Sequence, residues 1–218
     1  MAAAFYNKNG KPVLEKIVLA VRQNKDYLNE ADSLIGDGDH GTNMDKGFTL
    51  FAESIADRDI SFTEGLDELG YLLFSRINGI IGPVYGKIFT QMAEIGEGFE
   101  EIGTSELASM LRAGFLALYD FTEARPGDKT LMDTLVPVCD VMDRAAENAT
   151  DLDESNLAVA LEELKKAAAK GWESTKDMEA KFGSAGGLGE RSKGVYDPGA
   201  ASCKIILTAM ADGILALL

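Results

Sequence analysis

The sequence predicts an all-α protein, an antiparallel barrel or bundle of about eight amphipathic helices. Three observations carry this. Apolar residues recur three and four positions apart along most of the chain, the period of a helix with one buried face. No stretch alternates apolar and polar residues with the β-branched enrichment of a strand. The segments joining the periodic stretches are mostly short, so consecutive helices should pack as antiparallel neighbours.

Leu14, Ile17, Val18 and Val21 mark the apolar face of a first helix from about Pro12 to Ala31, with Pro12 suited to its first turn. A second runs from Thr42 to about Ile55, and a third from Phe62 to Arg76, preceded by Ser61. A fourth follows "GPVYG" and carries Ile88, Phe89, Met92 and Ile95. The fifth opens near Thr104 with a capping-box-like signal at Ser105. The sixth follows "RPGDKT", runs through Val138, Val141 and Met142, and should kink at Pro137. "DESNLAVALEELKKAAAKGWEST" is the seventh, and "PGAASCKIILTAMADGILALL" the eighth, with Ile205, Ile206, Met210 and Ile214 on one face. The glycine-rich "KFGSAGGLGERSKGVYDPGA" is the longest irregular stretch, of the kind that serves as a lid or binding loop. With no internal repeat or linker, residues 1–218 read as one domain.

With 46% hydrophobic and 26% charged residues the composition is that of a soluble globular protein, and no apolar run is long enough to span a membrane. The first residues lack the pattern of a secretion signal, so a cytoplasmic location is expected. A net charge of −15, without a basic block, argues against nucleic acid as a partner. Cys139 and Cys203 lie in apolar helical contexts and read as buried thiols. The single histidine, His40, falls inside a glycine- and aspartate-rich motif, which makes it a functional as well as a structural candidate.

That motif is "SLIGDGDHGTNMDKGF". Gly36, Gly38 and Gly41 spell G-x-G-x-x-G, but a dinucleotide fingerprint needs a preceding strand, and "LNEADSLI" reads as a helix end and a turn. The loop also lacks the register of an EF-hand, and "GIIGPVYGK" is one residue short of a P-loop. What remains is Asp32, Asp37 and Asp39 within eight residues. Two carboxylates ~4 Å apart repel by roughly 4 kcal/mol at an effective dielectric of ~20. They either point apart into water or share a cation, and an all-oxygen set suits a hard one such as Mg2+. A helix start follows at once, where free N–H groups would favour a phosphate held by the metal.

Four motifs, "GDGDHGTNM…GF", "GPVYG", "PGDKTLMDTLVP" and "LGERSKG…DPGAAS", occur in the order and at the spacing seen in the nucleotide-binding subunit of dihydroxyacetone kinases, the DhaL family, and the chain resembles that family over essentially its whole length. The resemblance implies an antiparallel eight-helix barrel with ADP or ATP at one end. It implies two Mg2+ ions on Asp32, Asp37 and Asp39, and nucleotide contacts from His40, Gly41, Thr42 and Asn43 and from Ile80, Ile81 and Gly82. Gly127 would lie against adenine, Val136 would form an apolar wall, and Asp197, Pro198 and Gly199 would belong to the capping loop. It further implies a separate DhaK-type subunit that binds the ketose. In one branch, a phosphoprotein of the phosphotransferase system recharges bound ADP. No catalytic side chain beyond the metal ligands is identified.

The chain departs from the family pattern in two places. Ile81 stands where the family has a phosphate-contacting serine, and Ser184 where the lid has an arginine, with Gly186 and Gly187 replacing Ser-Tyr. Arg191 is the nearest remaining cation, either for phosphate or to anchor the loop on an acidic neighbour. Losing a charged hydrogen bond costs about 1.5–3 kcal/mol. The expectation is weaker nucleotide binding, and with it either a freely exchanging ATP user or a substrate other than dihydroxyacetone. The alternative is a non-catalytic nucleotide-sensing interaction protein with a degenerate site.

Overall fold

The structure, a computed structural model, describes residues 4–148 and 156–218. Nine α-helices lie among the described residues: α1 (Lys11–Gln23), α2 (Lys25–Ser33), α3 (His40–Ile55), α4 (Phe62–Arg76), α5 (Ile81–Gly96), α6 (Thr104–Phe121), α7 (Met132–Glu147), α8 (Asn156–Ser174) and α9 (Pro198–Leu215). The two short strands β1 (Phe5–Tyr6) and β2 (Glu101–Ile102) pair antiparallel, with Phe5 opposite Ile102.

Neighbouring helices close a ring in the order α1, α3, α4, α5, α6, α7, α8, α9 and back to α1. The all-α expectation therefore holds, and the ring has the eight staves expected. The ninth helix arises because the first predicted helix is two. Asn24 ends α1 by turning its amide onto the Ala20 carbonyl at 2.8 Å, competing with the helix ladder as asparagine does. The continuation, α2, packs on α3 and α9 and carries the chain toward the acidic motif.

The interior of the ring is one apolar cluster drawing on every stave, from Val13, Ile17 and Val21 of α1 to Ile206, Met210 and Ile214 of α9. Helix α9 is buried along most of its length and packs on α1, α7 and α8. Two residues expected on apolar faces lie outside this core. Ile95 is exposed and Ile205 only half-buried.

Helix starts also differ from expectation in three places. α3 begins at His40 rather than Thr42. α5 begins at Ile81, so "GPVYG" forms its first turns rather than preceding it, and Pro83 sits where its missing N–H costs nothing. At α6 the capping group is Glu106, which accepts the Gly103 N–H at 3.0 Å, and not Ser105. α7 runs on through Pro137 as a single helix. The predicted start of the seventh helix, residues 153–155, lies outside the described residues; α8 follows from Asn156. The irregular stretch before α9 contains 3-10 turns at Thr175–Asp177 and Ser184–Ser192.

α9 starts at a buried acid. Asp197 Oδ2 accepts the Ala200 N–H at 2.7 Å as the N-cap, and the Asp197 N–H donates to Thr175 Oγ1 at 3.0 Å. Burial pushes the Asp197 carboxyl up to about 7, against the Ala200 hydrogen bond and the charge of Lys129. An unfolded aspartate titrates near ~3.9. Between these values the folded chain holds a proton that the unfolded chain has lost, so stability falls as pH rises from about 4 to about 7. Asp197→Asn keeps a capping acceptor and removes the charge. Its unfolding free energy from urea titration is expected to match wild type near pH 4 and to exceed it increasingly up to about pH 7, by on the order of 2–4 kcal/mol. A difference independent of pH would assign the effect to something other than this carboxyl.

Candidate nucleotide and metal site

In an antiparallel ring, alternate staves run the same way. Helices α3, α5, α7 and α9 therefore begin at one end, and the four motifs of the sequence are the segments at those four starts. Contacts confirm the gathering. The Tyr85 hydroxyl of α5 lies 2.7 Å from Ser202 Oγ of α9, which lies 2.9 Å from His40 Nε2 of α3, and Thr134 Oγ1 of α7 donates to the Ala200 carbonyl of α9 at 3.2 Å.

The acidic loop leaves α2 and enters α3. Asp32, Asp37 and Asp39 each place a carboxylate oxygen within 4.8 Å of the other two. Asp32 is buried, while Asp37 and Asp39 are exposed. The two oxygens of Asp32 divide their work. Oδ2 accepts the N–H groups of Gly38, Asp39 and His40 at 2.9, 3.1 and 3.3 Å, which ties the loop back onto α2. Oδ1 lies 2.3 Å from where a Cβ on Gly36 would sit, so only glycine leaves it room. Burial raises the Asp32 carboxyl above the usual range; the three N–H bonds oppose this, and the Asp37 charge adds to it.

The start of α3 narrows one expectation. Three of its N–H groups are engaged within the protein: those of Asp39 and His40 go to Asp32, and that of Thr42 goes to Asn29 Oδ1 at 2.9 Å. Asn29 also donates to Thr42 Oγ1 at 3.0 Å. This close docking of α2 on α3 requires Gly41, where a Cβ would lie 2.0 Å from the Lys25 carbonyl oxygen. Gly41 thus has a packing requirement of its own. Thr42 is exposed and Asn43 half-buried at the same helix start.

His40, the first residue of α3, is buried. The ring is 7% exposed and bonded to Ser202, and burial pulls its pKa down to about 4, so it is neutral near pH 7. It joins α3 to α9 and, through Ser202, to α5.

At α5, Ile80 is 62% exposed and Ile81 is half-buried against the core. A Cβ on Gly82 would fall 2.5 Å from the carbonyl oxygens of Leu73 and Ile77, so this glycine permits close packing on α4.

The turn before α7 is built by Asp133, which the sequence reading missed. Its oxygens accept the N–H groups of Gly127 at 2.5 Å and Thr130 at 2.8 Å. A threonine followed three residues on by an acid is a capping signature, and Thr130–Asp133 fits it. Gly127, at φ 94°, has nothing within 4 Å of an added Cβ, so its face is open. Val136 is half-buried one turn into α7.

The Ser184–Ser192 segment lies against the acidic loop. Ile35, Ala180 and Ala185 form a small buried cluster edged by Leu188 and Val195, and Ser184 Oγ lies 3.0 Å from a Cβ position on Gly36. Arg191 is exposed and makes no ion pair among the described residues, so the anchoring role has no support there. Asp197, Pro198 and Gly199 form the start of α9 at the same end. Lys129 was also missed in the sequence. It is 1% exposed, and its ammonium is surrounded by backbone carbonyls.

The donor set fits magnesium. It is all carboxylate oxygen, as a hard cation requires, and part of it is exposed and open to further ligands. Oxygens around one Mg2+ lie at most about 4.2 Å apart, given Mg–O bonds of ~2.1 Å. A spread of up to 4.8 Å suits a pair of ions, or one ion after a small side-chain rotation.

A family model described as the DAK2 domain matches residues 34–212. The ADP-binding subunit DhaL of the PEP-dependent dihydroxyacetone kinase of Escherichia coli (strain K12) is 36% identical over 189 residues, covering 85% of this chain and 87% of that protein. The corresponding subunit of PEP-dependent dihydroxyacetone kinase 1 of Listeria innocua is 31% identical over 191 residues, covering 87% of this chain and 88% of that one. The structure of the dihydroxyacetone kinase from C. freundii in complex with AMP-PNP and Mg2+ shares the fold, with a TM-score of 0.69 over 92% of this chain at 20% identity; the chain spans 33% of that kinase. With a family model matched over most of its length and relatives above 30% identity covered nearly end to end, the chain belongs to the DAK2 domain family.

Proposed function

We propose that this chain is the nucleotide- and magnesium-binding subunit of a dihydroxyacetone-type kinase, donating a phosphoryl group to a short-chain ketose held by a separate DhaK-type subunit. The observation that carries the reading is the convergence of Asp32, Asp37 and Asp39 at the end of the barrel where four helices begin. On a chain of net charge −15, a polyphosphate binds only where cations offset the acid.

Asp32, Asp37 and Asp39 would hold two Mg2+ ions, which when bound offset the charge on the phosphate oxygens as the terminal phosphoryl leaves. Asp32 keeps one oxygen on the loop amides and presents the other to the site, so the loop is set before any ligand arrives. The side chains of Thr42 and Asn43 and the backbone of Ile80, Ile81 and Gly82 border the phosphates. Gly127, in the turn held by Asp133, presents its open face to the base, with Val136 beside it. Arg191, free of ion pairs among the described residues, supplies the positive charge on the side of the capping segment.

With His40 neutral and engaged with Ser202, no histidine on this chain takes a proton from the attacking hydroxyl. Deprotonation of the sugar hydroxyl is the partner's task, and the protein acts in the cytoplasm, where both subunits meet. Since the Escherichia coli and Listeria innocua relatives bear the name PEP-dependent and the Lactococcus lactis relative, 32% identical, the name PTS-dependent, we assign the recharging of bound ADP to a phosphoprotein of the phosphotransferase system rather than to exchange with ATP.

Calorimetric titration with ADP is expected to show Mg2+-dependent binding to wild type, weakened at least about a hundredfold in Asp37→Ala, with helix content unchanged. Binding that is indifferent to Mg2+ and to this substitution would refute the site. Adding a DhaK-type subunit and dihydroxyacetone to the ADP-loaded chain, with a phosphoprotein donor, should yield dihydroxyacetone phosphate. Tight binding without transfer in that assay would favour a nucleotide sensor, the reading motivated by Ile81 and Ser184.

A further inference from the structure

The turn between Gly127 and α7 carries a buried lysine that the phosphate chemistry does not use. Lys129 has φ 60°, the left-handed region that a non-glycine residue enters at a cost. That backbone directs the side chain inward, where the residue is 1% exposed. Its Nζ donates to the carbonyl oxygens of Thr175 at 2.9 Å, Met178 at 3.3 Å, Ser192 at 2.7 Å and Val195 at 2.5 Å. An ammonium has three protons, so one of the four bonds is shared. No carboxylate among the described residues pairs with it directly. A desolvated charge persists only when fully hydrogen-bonded, and here backbone dipoles do what water would do.

The benefit goes to the irregular stretch. Buried carbonyls outside helices have no ladder partner, and each must be satisfied. Lys129 donates to four at once, from the Thr175–Asp177 turn and its exit and from the end of the Ser184–Ser192 segment and beyond; of these, the Thr175 carbonyl also accepts the Met178 N–H at 3.2 Å. The far side of that stretch meets the acidic loop through Ile35, Ala180 and Ala185, with Val195 at the edge of the same cluster. Ile35 stands between Asp32 and Asp37 in the chain. One continuous set of contacts thus runs from Lys129 through the segment to the acidic cluster.

We propose that Lys129 is a positioning residue: its ammonium fixes the 175–195 stretch as a wall against the acidic loop, so that the turn beside α7 and the acidic loop are held as one unit. This rests on the proposed nucleotide and metal site only for its effect on ligand binding; the effect on the wall does not require it.

The test is Lys129→Met, which preserves the aliphatic stem and removes the donors. Amide hydrogen exchange of the ligand-free protein is expected to speed up about tenfold or more across 180–195, with the cores of α1, α4 and α5 unchanged. Mg2+-ADP should dissociate about tenfold faster from the folded variant, a change that a purely structural lysine would not cause. Exchange that rises equally in all helices, or stays at the wild-type rate across 180–195, overturns the assignment. So does an unchanged dissociation rate. Should the variant not fold, native-state exchange of wild type in sub-denaturing urea decides. Residues 128–131, 175–178 and 184–195 should then open as one unit below global unfolding, and separate openings overturn the proposal. If wild type fails to bind Mg2+-ADP while the exchange results hold, the proposed function fails and the role of Lys129 in the wall stands.

Discussion

The structure depends on how one buried carboxylate is shared. Asp32 spends one oxygen on three consecutive amides of the loop, and its carboxylate also lies within 4.8 Å of oxygens of Asp37 and Asp39. The first task fixes the loop and the start of α3. The second gathers like charges at a separation where they repel by several kcal/mol at the ~20 effective dielectric of a protein surface. The amide bonds keep Asp32 in place beside the other two, and under the proposed function a divalent cation would offset the repulsion.

The ring supplies the setting. Because alternate staves run in parallel, the starts of α3, α5, α7 and α9 share an end, and with them the positive ends of four helix dipoles. Small residues bring these starts close. Gly41 admits the Lys25 carbonyl and Gly82 the carbonyls of Leu73 and Ile77. The buried Tyr85–Ser202–His40 chain links three of the staves beneath the site. The lone histidine, which in a sequence reads as a candidate for chemistry, is part of this support.

Much of this was legible in the sequence, and the parts that were not have physical causes. The staves follow from helical periodicity, since burying one face of each helix decides the pattern. The break at Asn24 does not, because a few tenths of a kcal/mol of helix propensity separate a continuous helix from a broken one. "GPVYG" reads as a loop by composition, yet Gly82 and Pro83 fit a first helical turn, where a missing side chain and a missing N–H are both useful. The acidic trio stood out by spacing. That Asp32 would consume the helix-start amides did not, because it depends on how α2 docks on α3. Lys129 was invisible for a different reason: lysine is almost never fully buried, so no pattern in the chain marks one whose partners lie 46 to 66 residues away.

The most direct measurement is a crystal structure grown with Mn2+ in place of Mg2+ and with ADP, read by anomalous scattering at the manganese edge. The account expects one or two peaks within about 2.0–2.3 Å of oxygens of Asp32, Asp37 and Asp39, with the diphosphate on the far side of the metal. Manganese bound elsewhere, or nucleotide bound at this end of the barrel with the three carboxylates turned away from it, would contradict the account.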